Sequence, residues 1–165
     1  MNIEAHYKAI APKLTNYLVA NGVDYALACD IVQETFLRIW KMRDDVVDEP
    51  EQVSGLAYTI ARNLRTDKFR KASHETLQDE IKDEDAGSVG PAVSPSDNAY
   101  LRGRIVKALG ELPPLLREAY TLFQIQELSI RKIAELTGAT ESSVKVRIFR
   151  AKEKLQVALR DLHAP

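Results

Sequence analysis

The sequence predicts an all-α fold: two small helical domains joined by a flexible linker, the second containing a helix-turn-helix. Three observations carry that prediction. Apolar residues recur at three- and four-residue spacing through most of the chain, and no stretch alternates with the period of a strand. Residues 72–96 lose that periodicity and collect Gly87, Gly90, Pro91 and Pro95 with several serines and an acidic run. Beyond them, residues 129–154 read as two helices meeting at a glycine.

The first helical region is expected at 3–20, with Tyr7, Ile10, Leu14, Tyr17 and Leu18 facing a core. Pro12 is expected to begin a second helix within it, because proline suits a first turn and not an interior. Asn21-Gly22 stops it, and Asp24 caps the next helix, to about residue 42. There Leu27, Ile31, Thr35 and Ile39 repeat beside Ala28, Val32, Phe36 and Trp40, one broad buried stripe. Cys29 reads as a small buried hydrophobe. Asp30, Gln33, Glu34, Leu37 and Lys41 fall on the opposite side. A solvated polar face and a docking surface with Leu37 at its centre both fit that pattern.

An acidic loop spans 44–50, and a third helix is expected at 51–71. Its first part is apolar, with Val53, Leu56, Ala57, Ile60, Ala61 and Leu64. Its end carries Arg62, Asn63, Arg65, Lys68, Arg70 and Lys71 with Phe69. Cations suit a helix C-terminus in any protein. Cations with an amide and an aromatic also suit a nucleic-acid strand. The linker of roughly 24 residues, extended at ~3.3 Å each, spans on the order of 80 Å, more than two touching domains need. Domain boundaries are therefore expected at 1–72, 73–96 and 97–165.

In the second domain Asp97 is expected to cap a helix to about residue 109, and Gly110 to Pro114 form a turn. A helix over 115–127 buries Leu115, Leu116, Ala119, Leu122 and Phe123. Ser129 caps a short helix with Ile130, Ile133 and Ala134 inward, and Gly138 takes a left-handed stop. Thr140 then caps a helix with a narrow apolar stripe, Val144, Ile148 and Ala151. Its other faces carry Lys145, Arg147, Arg150, Lys152 and Lys154. A helix laid in a DNA major groove and a hairpin with merely solvated charges both fit this spacing. Residues 161–165 are expected to fray.

Composition narrows the function classes. The 165 residues are 45% hydrophobic, enough for packed cores. No apolar run approaches the ~20 residues of a membrane span, and the start lacks the pattern of a signal peptide. The single Cys29 excludes an internal disulfide framework and fits a reducing cytoplasm. The formal net charge of −1 hides a division into two basic patches separated by acidic connectors, the pattern of two contacts with a polyanion. There is no glycine-rich phosphate loop, no clustered metal ligands among His6, His74, His163 and Cys29, and the serines near the basic second helix, Ser142 and Ser143 among them, have no histidine beside them. No enzyme, cofactor or metal is expected.

At this point the residues carry a family pattern. Asp30-x-x-Gln33-Glu34-x-Phe36-x-x-x-Trp40 resembles the signature helix of region two of bacterial sigma factors. Tyr58-x-Ile60-Ala61-Arg62-Asn63 looks like the segment that follows it. Leu112-Pro113-x-x-x-Arg117 and Ser143-Val144-Lys145-x-Arg147-x-x-Arg150-Ala151-Lys152 resemble region four. Their order, with the linker between, matches the small extracytoplasmic-function class over residues 5–159.

The resemblance implies a cytoplasmic sigma factor that binds core RNA polymerase and directs it to promoters. It implies that Asp30, Gln33, Glu34 and Leu37 dock on the beta-prime coiled coil, and that the second domain meets the beta flap. It implies that Asn63, with Arg62, Arg65, Lys68, Arg70 and Lys71, contacts the minus-ten element and holds a flipped base. It places Lys145, Val146, Phe149 and Arg150 against bases of the minus-thirty-five element, with Ser143 beside them and Arg147 on a phosphate. An anti-sigma factor is a further implied partner. Two positions depart from the family pattern: Leu56 replaces a common tryptophan, and Val146 a common small polar residue. A free-standing operator-binding regulator and a decoy that occupies polymerase without reading DNA are the competing classes.

Overall fold

The computed structural model describes residues 1–76 and 97–163, with side chains for 1–70 and 99–162. These residues form seven α-helices and, among them, no strand. They fall into two compact units, one drawn mainly from each half of the chain. The expected linker over 73–96 lies almost wholly outside the described residues.

The first unit holds α1 (Ile3–Ala20), α2 (Tyr25–Lys41) and α3 (Pro50–Thr76). α1 is one helix with Pro12 inside it, not two. Proline costs its helix about 3 kcal/mol through a lost bond and a ring clash. Leu14, Tyr17 and Leu18, all fully buried, outweigh that loss, at ~1.5–3 kcal/mol for each large apolar side chain. Pro12 and Lys8 are both exposed, so water can serve the Lys8 carbonyl that Pro12 leaves unpaired. Tyr7 is less buried than its spacing predicts, yet its ring meets Phe36 edge-on at 5.1 Å. Tyr17 meets Tyr58 the same way at 5.5 Å, tying α1 to α3. The Tyr58 hydroxyl titrates well above its ordinary range because burial disfavours the phenolate.

The Asp24 carboxylate accepts the Leu27 N–H at 2.8 Å and starts α2 as expected. Ala28, Ile31, Val32, Thr35, Phe36 and Ile39 are its buried stripe. Trp40 is not part of it. A step of four residues overshoots a helical turn by about 40°, so three steps from Ala28 carry position 40 to the rim, and Ile39 takes the core place. Arg43 caps the exposed indole, its guanidinium carbon 3.9 Å from the ring centroid. Cys29 is half-buried rather than buried. The acidic loop contains a 3₁₀ turn, Arg43–Asp45. Its Asp48 shares a 2.7 Å hydrogen bond with the His6 ring. α3 continues past the expected end at residue 71 to Thr76.

The second unit holds α4 (Asp97–Gly110), α5 (Pro114–Tyr120), α6 (Ile130–Thr137) and α7 (Glu141–Ala158). Asp97 opens α4 as its first residue. α4, α5 and α6 all pack on α7. One core cluster joins Ala108 and Leu112 to Ala151 and Leu155, with Leu109, Leu116, Tyr120 and Leu159 packed against it. The helix expected over 115–127 does not run through. α5 widens into a π turn at Thr121–Ile125, and Gln126 N–H donates to the Thr121 carbonyl five residues back at 3.0 Å. The Thr121 hydroxyl, donating to Arg117 and Glu118 carbonyls, and the left-handed Glu127 (φ 60°) end the element. Leu115 is exposed, contrary to expectation, because it lies in the first turn beyond the packed face. Residues 160–163 do not fray but form a 3₁₀ turn held by Arg104.

Candidate nucleic-acid interface

The local chemistry that presents α7 was readable in advance. The Ser129 hydroxyl accepts the Lys132 N–H at 3.1 Å and fixes the start of α6. Gly138 ends α6 at φ 73°, the left-handed conformation that a side chain disfavours, and its N–H donates to Ala134 at 2.9 Å. The Thr140 hydroxyl accepts the Ser143 N–H at 3.0 Å and starts α7. Cap, glycine and cap therefore set the angle between two helices within twelve residues, 129 to 140.

Burial then sorts α7 by face. Val144, Ile148, Ala151 and Leu155 are buried. Ser143, Lys145, Val146, Phe149 and Arg150 are exposed, and Arg147 is half-buried at the flank. The exposed set spans one continuous free face near the helix N-terminus, the geometry of a helix that enters a major groove. Lys152 is turned elsewhere, its ammonium 5.7 Å from the Phe123 ring. α6 pairs its own Arg131 with Glu135 at 3.5 Å, so its charges partly cancel.

The basic end of α3 is divided by its own helical geometry. Asn63, Thr66, Asp67 and Arg70 share one exposed stripe at about 3.6 residues per turn, with Arg70 4.0 Å from Asp67. Arg62 and Phe69 lie on a neighbouring stripe, Phe69 42% exposed. Arg65 is half-buried with its guanidinium 5.9 Å over Tyr17, and Lys68 is half-buried. The side chain of Lys71 lies outside the described residues. Phe69, the aromatic that the sequence puts among these cations between Lys68 and Arg70, is thus on the surface.

On α2, Asp30, Gln33 and Leu37 are exposed on one stripe, Leu37 by 59%. Glu34 joins them but is not a bare carboxylate: Arg38 Nη2 donates to it at 2.9 Å. Trp40, expected in the core, lies exposed beside Gln33 and Leu37 and enlarges the apolar part of this face. Among the described residues no cluster could hold a metal, and no helix is long and apolar enough to cross a membrane.

Comparison with known proteins bears on both faces. Residues 4–75 match the model of Sigma-70 region 2, and residues 102–155 that of Sigma-70, region 4. The chain is 33% identical over 145 residues to the ECF RNA polymerase sigma factor SigW of Bacillus subtilis, covering 81% of this chain and 75% of that one. It is 27% identical over 158 residues to SigM of the same organism, covering 94% of each. Among solved structures, the sigma factor RpoE of Bartonella quintana, in complex with the anti-sigma factor NepR, aligns with a TM-score of 0.79 at 24% identity, covering 95% of this chain and 96% of that one. CnrH, in complex with the cytosolic domain of CnrY, aligns with a TM-score of 0.66 at 23% identity, covering 98% and 89%.

Proposed function

This chain belongs to the sigma-70 family, in the extracytoplasmic-function class, and from that premise we propose how its two units divide the work of promoter selection. A sigma factor binds core RNA polymerase and directs initiation at specific promoters. The observation that carries the division is the free face of α7, where burial leaves Lys145, Val146, Phe149 and Arg150 exposed together over a packed stripe.

That face reads the minus-thirty-five element. Lys145 and Arg150 donate to guanine edges, Ser143 and Arg147 hold the flanking backbone, and Phe149 meets an apolar base edge. On α3, Asn63, Arg62, Arg65, Lys68, Arg70 and Lys71 engage the minus-ten element, with the exposed Phe69 available to stack on an unpaired base. Extrusion of a base costs a few kcal/mol, which an amide edge and an aromatic together can offset. The α2 stripe, Asp30, Gln33, Glu34 and Leu37, docks on the beta-prime coiled coil, and the second unit meets the beta flap. The chain works in the cytoplasm, performs no chemistry of its own, needs no cofactor, and pairs with an anti-sigma factor, as RpoE of Bartonella quintana does with NepR. Functional domains run 1–72 and 97–165, with residues 73–96 as the linker between them.

A gel-shift titration on promoter duplexes tests this assignment. The chain alone binds duplex DNA weakly, and addition of core polymerase produces a sequence-specific complex. Equally tight, specific binding without polymerase would instead mark a free-standing operator-binding regulator.

A further inference from the structure

The N-terminal half of α7 exposes two apolar side chains where its neighbours are charged or polar. Val146 is 46% and Phe149 60% exposed. Residues three apart on a helix stand about 5–6 Å from each other at Cβ and lie on the same face, so the two form one apolar couple. Lys145 and Arg150 flank it, and all four are exposed. Among the described residues neither Val146 nor Phe149 takes part in a ring or cation contact, so the couple is not spent within the fold.

The chemistry of a major groove restricts what such a couple can face. Every base presents a donor or an acceptor there, and thymine alone adds an alkyl group, its 5-methyl. Valine has no hydrogen-bonding group. Laid over a guanine, cytosine or adenine edge, it would strip water from polar atoms and return nothing, and an unsatisfied polar group is costly. Laid on a methyl, it removes apolar surface from water on both sides. Phe149 obeys the same rule at its neighbouring position. The base step is about 3.4 Å along one strand, so side chains about 5–6 Å apart reach base pairs one or two steps apart.

We propose that Val146 and Phe149 act as a methyl reader, selecting two thymines within two base steps in the upstream promoter element. The inference rests on α7 being the minus-thirty-five reader. It adds a residue at which this chain departs from its family pattern, Val146, and the chemical group that residue selects. The cations beside the couple serve the adjoining guanines and phosphates, so the element combines a G·C contact with a thymine pair.

The test uses holoenzyme assembled from core polymerase and the full chain. A promoter is first selected by run-off transcription from a duplex library randomised in its upstream element. The winning duplex is then resynthesised with deoxyuridine for thymidine, one position at a time, which removes the methyl and keeps every hydrogen bond. Deoxyuridine at two positions lowers holoenzyme affinity by about three- to fivefold each, the effect of one buried methyl. V146S abolishes the penalty at one of them and F149A at the other. Circular dichroism shows both variants folded, since both side chains are exposed. Indifference to deoxyuridine throughout the upstream element overturns the proposal. So does an equal loss by V146S and F149A on thymidine and deoxyuridine probes, which would assign the couple to a protein partner. Failure of the underlying reading looks different: core polymerase plus the chain yields no promoter-dependent transcript, and no probe emerges from the library.

Discussion

Arg104 and Asp161, 57 residues apart, meet through two parallel hydrogen bonds: Nη1 donates to Oδ2 and Nη2 to Oδ1, each at 2.8 Å. Arg104 Nη2 also donates to the Ala158 carbonyl at 3.2 Å, and Nη1 to the Tyr100 hydroxyl at 3.2 Å. One side chain of α4 thus clasps the end of α7 and the turn beyond it. Those hydrogen bonds hold the Asp161 carboxyl below its ordinary range, and the same bonds hold the Arg104 guanidinium above its own. The aspartate contributes stability above its unfolded pKa and loses it as pH falls through the lowered folded value. Asp161→Asn is therefore expected to speed amide exchange at residues 160–163 at neutral pH. In the parent, protection of the same amides, measured against their intrinsic rates, falls only under acid conditions, below about pH 4, where carboxylates protonate. The clasp is solvent-exposed, so global melting moves little in either case.

Thr140 caps α7 and so launches the face proposed to read DNA. Thr140→Ala is expected to cost about 1 kcal/mol of stability, and Thr140→Asn to keep most of it. Thermal melting of the pair checks the difference. Upstream-element affinity should fall in the alanine variant alone, because the first turn carries Ser143 and leads into Lys145. Gly138→Ala is expected to be of similar cost, about 1 kcal/mol, for a separate reason. Nothing lies within 4 Å of an added Cβ there, so the whole penalty comes from the left-handed backbone at φ 73°.

Arg150 stands at the flank of the exposed α7 face, beside Val146 and Phe149. Arg150→Ala is expected to cost about 1–3 kcal/mol at one base position and to relax preference there. Holoenzyme binding to single-position promoter variants reads it. A loss spread evenly over all sequences would move Arg150 to the phosphate contacts.

Much of this fold and part of its site could be read from the sequence because the information is local. The Asp24, Ser129 and Thr140 caps and the Gly138 stop each depend on atoms a few residues away, and each is where spacing puts it. What escaped depends on partners distant in sequence or on accumulated rotation. Pro12 reads as a helix start until Leu14, Tyr17 and Leu18 are seen buried together around it. Trp40 reads as core by four-residue counting, and only the drift of that count sends it to the surface. The π turn at Thr121–Ile125 has no composition of its own, and Asp161 looks like a loose end until Arg104 reaches it. At the site, the cations of 62–71 read as one patch; the helix divides them into stripes and leaves Phe69 exposed between.

The α2 stripe makes the central claim testable apart from any DNA contact. Asp30, Gln33 and Leu37 are exposed and the Glu34 carboxylate pairs with Arg38 on the surface, so charge reversal there removes no core packing and leaves the fold intact. Asp30→Lys with Glu34→Lys turns the acidic face proposed to dock on polymerase basic, and a like-charge juxtaposition across an interface costs several kcal/mol. That corresponds to at least a hundredfold loss of core-polymerase affinity at about 1.4 kcal/mol per decade.

Run-off transcription with core polymerase on a promoter library is the most direct measurement. The expected result is transcripts from defined start sites only when the chain is added, abolished by the Asp30→Lys/Glu34→Lys pair in a protein that still melts normally. Transcription that does not change when the chain is added, or that survives the double reversal undiminished, would contradict the account.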